Sequence, residues 1–198
     1  MEIIKINDLA IKKIGEVLGE GGVIICPTDT VYGLIADATN KEAVGKIVKT
    51  KKRDEKKVIK AISVFVKNIE EIKKIAFVNK SQEKFLKDNL PGKWTVILKR
   101  KLNSGLAENL FVGKETIGVR VVDNKIISDI LDKINKPLTA TSANISGKPA
   151  TTKIKEILEQ FECQETQPDL VVDLGDLPEN SPSKIVDLTG EEFIILRN

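Results

Sequence analysis

Apolar residues along this 198-residue chain recur at two spacings, and each spacing predicts a kind of element. Ile11, Ile14, Val17 and Leu18 share one helical face after the capping pair Asn7-Asp8, and that helix should stop at Gly19-Glu20-Gly21-Gly22. Val23-Ile24-Ile25-Cys26 is wholly apolar and reads as a short buried strand. It runs into Pro27-Thr28-Asp29-Thr30, a proline-marked loop where a buried strand leaves the core, the usual place for ligand sites in open α/β sheets. From Asn40 a second amphipathic face, Ala43, Val44, Ile47 and Val48, leads into the basic stretch 49–57.

Further strands are predicted at Ile62–Val66, Trp94–Leu98, Ile117–Val121, Leu138–Thr141, Leu170–Leu174, Lys184–Leu188 and Phe193–Leu196. Helices are predicted at Ile69–Ile75, Gln82–Asn89, Lys125–Ile134 and Ile154–Phe161. Strands alternate with helices until three strands arrive nearly in succession, so the fold class is α/β, a twisted mixed open sheet flanked by helices. No internal repeat, low-complexity linker or boundary interrupts the pattern, which reads as one domain over 1–198. The longest loop candidate is Gly175–Ser183.

Composition narrows the chemistry. With 41% hydrophobic and 31% charged residues the chain can bury a core, and it has no apolar run of the ~18 residues a membrane span needs. The start lacks the order of a secretory signal, and Cys26 and Cys163 are too far apart for a CxxC site, so the expectation is a cytoplasmic protein with reduced thiols and no membrane partner. There is no histidine. That excludes Ser-His-Asp and Cys-His catalysis, histidine-ligated zinc and a histidine general base together. Only four of the 32 basic residues are arginines, Arg53, Arg100, Arg120 and Arg197. In a lysine-rich chain an arginine points to a need for a planar fork on carboxylate or phosphate.

Four stretches could carry chemistry. Pro27-Thr28-Asp29-Thr30-Val31-Tyr32-Gly33-Leu34 offers two threonine hydroxyls, a phenol and a close-approach glycine for a small polar ligand, or else forms a capped turn. Lys51-Lys52-Arg53 is either a polyphosphate clamp or a solvated set of cations at a helix C-terminus. The run from Thr139 through Ser142, Asn144 and Gly147 to Pro149 suits hydrogen bonding to phosphate, ribose or an amino acid, and equally suits an Asx- or Ser-type turn. Arg120, in an apolar β-branched run, must find an anion, either a structural carboxylate or a bound one. No metal cluster of usual spacing, GxGxxG or Walker lysine appears.

Taken together in order, GGVIICPTDTVYGL (21–34), Lys51-x-Arg53, PGKWTVIL (91–98), TIGVRV (116–121), PLTATSANISGKP (137–149), SKIVDL (183–188) and ILR (195–197) resemble the YrdC/Sua5 (TsaC) family in its short, single-domain form. The resemblance implies a YrdC-like sheet with a concave basic cavity. It also implies an L-threonylcarbamoyladenylate synthase, which condenses L-threonine, bicarbonate and ATP, with Mg2+, into threonylcarbamoyl-AMP and pyrophosphate. The product would serve tRNA t6A modification through a downstream threonylcarbamoyl transferase complex. Carried over by position, Lys51 and Arg53 resemble the catalytic pair on the ATP phosphates. Thr116, Ser142, Asn144 and Arg197 resemble further ATP contacts. Thr28, Thr30, Tyr32, Arg120, Ala140 and Ser183 resemble the threonine-binding set, with Arg120 facing the substrate carboxylate and no protein ligands for a metal.

Such a reaction demands positioning and neutralisation of anionic charge, and neither a histidine nor a covalent nucleophile. The chain departs from the family pattern where Asp54 follows Arg53, where Lys148 replaces an arginine, and where Phe65 falls near a family histidine position. Two other readings stay open on the sequence: a module binding tRNA or double-stranded RNA through rim lysines, and a carbamoyl-adenylate enzyme with another acceptor. Net charge of +3 gives the first little support, and the Phe65 departure keeps the second open.

Overall fold

The computed structural model describes residues 1–7, 9–52, 62–111 and 113–198. In chain order the elements are β1 (Glu2–Lys5), α1 (Ala10–Gly19), β2 (Ile24–Pro27), β3 (Tyr32–Ile35), α2 (Lys41–Thr50), β4 (Ser63–Phe65), α3 (Ile69–Ile75) and α4 (Lys80–Asn89). They continue with β5 (Trp94–Lys99), β6 (Thr116–Arg120), α5 (Lys125–Ile134), β7 (Leu138–Ser142), α6 (Ile154–Phe161), β8 (Leu170–Asp173), β9 (Lys184–Asp187) and β10 (Ile194–Arg197). Every predicted helix and strand is present with ends within two residues. Two strands were not expected, β1 and β3. The second forms because Thr28–Val31 is a hairpin turn rather than a strand exit, and it pairs β3 antiparallel to β2 from Ile24↔Ile35 to Pro27↔Tyr32.

Local chemistry explains several helix starts. Asn40, Asn68 and Asn124 each accept a hydrogen bond from the backbone N–H three residues on, and Asn79 with Gln82 closes a reciprocal capping box. The predicted cap of α1 is half visible: Asn7 Oδ1 accepts from the N–H groups of Leu9 and Ala10 at 2.9 and 3.0 Å, whereas Asp8 lies outside the described residues. No described helix is long and apolar enough to cross a membrane.

Among the described residues ten strands make one sheet in the order β1-β8-β2-β3-β7-β4-β6-β5-β9-β10. Pairing is mixed, as expected: β1 with β8, β8 with β2, β4 with β6 and β5 with β9 are parallel, and the remaining neighbours are antiparallel. Because side chains alternate along a strand, the sheet has two distinct faces. On one, Ile25, Leu34, Val64, Val96, Val119 and Val186 pack in a continuous core with buried residues of α2, α3, α4 and α6. On the other, Ile24, Cys26, Ile35, Phe65, Leu138 and Leu170 pack with α1 and α5 through Ile14, Leu18, Ile127 and Ile130. That second cover reaches only across the first strands of the sheet order. Beyond Phe65 the same face turns polar, and a cavity opens over it.

Candidate functional site

The cavity measures about 270 Å3. Its floor comes from residues that alternate with core residues on the central strands: Ser63 on β4, Thr95 on β5, Arg120 on β6, and Ala140 and Ser142 on β7. Its walls include Thr28, Thr30 and Val31 of the hairpin turn, Pro182 and Ser183 before β9, and Arg197 on β10. Gly118, between Ile117 and Val119, keeps this floor level, since a Cβ there would lie 2.4 Å from Ser63 Oγ.

Arg120 is the electrostatic centre. Its Nη2 donates to both carboxylate oxygens of Asp29, at 2.8 and 3.0 Å, and the two side chains are only 8% and 5% exposed. The Phe65 ring lies 5.2 Å from the guanidinium carbon, a cation–π contact. The Nε is buried without a hydrogen-bond acceptor. Burial lowers the Arg120 pKa from its ordinary value, the Asp29 carboxylate opposes that shift, and the nearby positive charge of Arg197 adds to it. The anion that the sequence demanded for Arg120 is therefore present in the protein as Asp29.

Along the cavity a hydrogen-bonded ladder joins β5 and β10 through Ser183, the residue before β9. Arg197 donates through Nε to Ser183 O at 2.8 Å and through Nη2 to Ser183 Oγ at 3.2 Å, and Ser183 Oγ shares a hydrogen bond of 2.8 Å with Thr95 Oγ1. In the hairpin turn, Thr28 Oγ1 donates to Val31 O at 2.6 Å, so its 3.2 Å contact with Thr30 Oγ1 has Thr30 as donor. Thr28 thus acts in the turn that the sequence allowed as well as lining the cavity.

The remaining expected residues fall in three places. Thr28, Thr30, Tyr32, Arg120, Ala140, Ser142, Ser183 and Arg197 all border the cavity. Tyr32, however, is 1% exposed and belongs to the core on the opposite face, where its hydroxyl donates to Gly175 O at 2.7 Å and accepts from Leu174 N–H at 3.0 Å. Lys51 and Asn144 lie beside the cavity rather than among its lining residues. Lys51 Nζ donates to the carbonyls of Ser142 and Asn144 and to Asn144 Oδ1, and Ser142 Oγ donates to the same Oδ1 at 2.5 Å. This buried lysine therefore holds the loop after β7 in shape. Thr116 stands at the other end of β6, roughly 13 Å from Arg120 at ~3.3 Å per strand residue, and is not a lining residue. Arg53 lies outside the described residues.

Sequence reasoning missed Asp29, Ser63 and Thr95. For Ser63 and Thr95 the signal was available: Ser63 in ISVFV and Thr95 in WTVIL, like Gly118 in TIGVRV, are small or polar interruptions of apolar strands, and all fall on one face. Arg100 lies away from the cavity, its side chain only 12% exposed, paired with Glu108 at 2.9 Å and 4.0 Å from the Phe111 ring centre. Among the described residues the lining is mostly hydroxyl and small groups, its charged members are Arg120 and Arg197, and Arg120 is paired with Asp29. No group of three or more His, Cys, Asp or Glu among the described residues could hold a metal ion. Asp29 is already bound to Arg120, so the described side chains here do not form a resident Mg2+ site.

Comparison with known proteins gives the same architecture a lineage. The family model described as "Sua5_yciO_yrdC: Telomere recombination" matches residues 16–198. A Methanocaldococcus jannaschii protein with the provisional name threonylcarbamoyl-AMP synthase is 36% identical across the whole chain and 91% of its own length. The crystal structure of P. abyssi Sua5 complexed with L-threonine superposes with a TM-score of 0.89 at 27% identity, covering all of this chain, which spans 57% of that protein. E. coli YciO superposes over all of this chain and 94% of its own with a TM-score of 0.84 at 26% identity.

Proposed function

The chain belongs to the Sua5/YciO/YrdC family, and on that premise we propose that it is a threonylcarbamoyl-AMP synthase, using L-threonine, bicarbonate and ATP to supply tRNA t6A modification. The observation that carries the reading is a buried arginine at the floor of a small, hydroxyl-lined cavity, in a fold shared with a Sua5 crystallised with L-threonine. At about 270 Å3 the cavity falls just below the size of drug-sized ligand pockets and suits an amino acid better than a whole nucleotide. A wider groove of about 660 Å3 shares Val31, Ala150 and Pro182 with it and gives room for the rest of a larger reacting complex.

Arg120 supplies positive charge at the cavity floor for the substrate carboxylate. Ser63, Thr95 and Ser183 present hydroxyls to the polar groups of the amino acid. The threonine amine attacks the bicarbonate carbon with loss of water. A carbamate oxygen then attacks the α-phosphate of ATP, and pyrophosphate leaves. Both steps are accelerated by holding reactants together and offsetting negative charge, which Arg120 does from the floor and Arg197 from the wall. Mg2+ enters with the nucleotide phosphates. Purified protein with threonine, bicarbonate, Mg-ATP and pyrophosphatase should release phosphate only when threonine is present and yield the adenylate by mass spectrometry. Phosphate release indifferent to threonine overturns the reading.

A second reading has one observation behind it. Phe65 stands under Arg120, near the position where the resemblance places a family histidine. The same assay with serine and other amino acids in competition separates a different acceptor from threonine. Among the described residues Lys46, Lys73, Lys74, Lys87, Lys125 and Lys136 are each paired with an acid, which lends the RNA-binding reading no support.

A further inference from the structure

We infer that Tyr32 is a positioning residue that works through the segment 174–183, not a group that touches the substrate. The inference rests on the synthase reading for its kinetic arm only. Tyr32 is the one tyrosine in the chain, and its ring lies in the core on the sheet face opposite the cavity. The single hydroxyl proton goes to Gly175 O at 2.7 Å, and the hydroxyl oxygen accepts from Leu174 N–H at 3.0 Å. Burial pushes the phenol up to about 12, so it stays neutral and keeps donating across the working pH range.

The clamped residues begin the connection from β8 to Ser183. Nearby ties fix the same end: Asp173 Oδ1 accepts from Gly175 N–H at 2.7 Å, Asp176 Oδ1 from Ile154 N–H at 3.0 Å, and Leu177 N–H donates to Thr152 O at 3.0 Å. At the far end Ser183 enters the ladder with Thr95 and Arg197. Between these anchors Glu179, Asn180, Ser181 and Pro182 form one side of the wide groove, and Pro182 and Ser183 also border the cavity. Tyr32 therefore sets where this wall of both spaces begins, while β3 and the hairpin turn beside it set the opposite wall. The two walls are built from one residue outward.

The test is Tyr32→Phe in the full chain, with hydrogen exchange followed by mass spectrometry and steady-state kinetics. Phenylalanine fills the same core volume and removes only the hydroxyl. Expected are at least tenfold faster exchange in peptides covering 174–183, unchanged protection in β2, β7 and α5, and a several-fold rise in the threonine KM with kcat within twofold of wild type. Unchanged exchange over 174–183 overturns the proposal, as does an exchange increase spread evenly over the sheet or an equal fall in kcat. An inactive wild type removes the synthase reading, and the exchange arm then still decides the clamp.

Discussion

Two halves of one sheet face carry opposite instructions. Where α1 and α5 cover it, the alternating positions are Ile24, Cys26, Ile35, Leu138 and Leu170, and burial closes the space. Where no described helix packs, the same alternation yields Ser63, Thr95, Gly118 and Arg120, and the space stays open as a cavity. Phe65 stands at the boundary, packed with the covered half on one side and against the Arg120 guanidinium on the other. The backbone is continuous across the boundary, so side-chain size and polarity alone decide which half becomes core and which becomes site.

The sharpest way to break this contrast is to remove the buried anion. Asp29→Ala leaves the Arg120 charge uncompensated and should cost about 3–5 kcal/mol in denaturant unfolding, as for other broken buried pairs. Arg120→Met in that background should restore much of the stability but none of the activity. Next, Ile130→Ala empties a fully buried position in the covered half and should cost about 2–5 kcal/mol while leaving threonine affinity unchanged. Arg120→Lys keeps the charge but loses the planar fork, and should lower threonine kcat/KM by about tenfold or more with the ATP KM within about twofold. Equal losses for both ligands would remove the carboxylate assignment from Arg120. Thr95→Val breaks one link of the hydroxyl ladder and should cost about 1 kcal/mol of stability, read from the shift in denaturation midpoint.

The smallest effect is on pH. The Lys5 ammonium, then the Gly175 N–H, hold the Asp173 carboxyl below its ordinary value against the opposing effect of burial. A depressed carboxyl stabilises the fold above its unfolded pKa and loses that contribution as pH falls through the lower folded one. Lys5→Ala should therefore lower stability slightly at neutral pH, and the gap between variant and wild type should close as pH falls below about 4.

The covered half was legible in the sequence because burial demands apolar periodicity. Ile11, Ile14 and Leu18 announced α1, and Lys125–Ile134 announced α5 at its true bounds. The strand β3 was not legible, because Tyr32-Gly33-Leu34 follows Pro-Thr-Asp-Thr and a glycine mid-strand weakens the pattern. That glycine borders the cavity, where a Cβ would lie 3.1 Å from Thr28 Cγ2. Single residues of the site were legible where their chemistry is rare: an arginine in an apolar strand had to meet an anion. Which anion was not legible, since Asp29 is 91 residues away and only the hairpin turn brings it back. Lys51 adds a role that the sequence did not announce, since it donates to the backbone carbonyls of Ser142, at the end of β7, and of Asn144 in the loop after it.

The open half of the sheet face is the claim on which the rest depends, and Ala140→Leu tests it most directly by adding bulk to the cavity floor beside the covered half. Calorimetric titration of L-threonine should show one site on the wild-type chain and none on the variant, with both unfolding at closely similar temperatures. Undiminished threonine binding by Ala140→Leu would contradict the account, because the ligand would then lie somewhere other than this cavity.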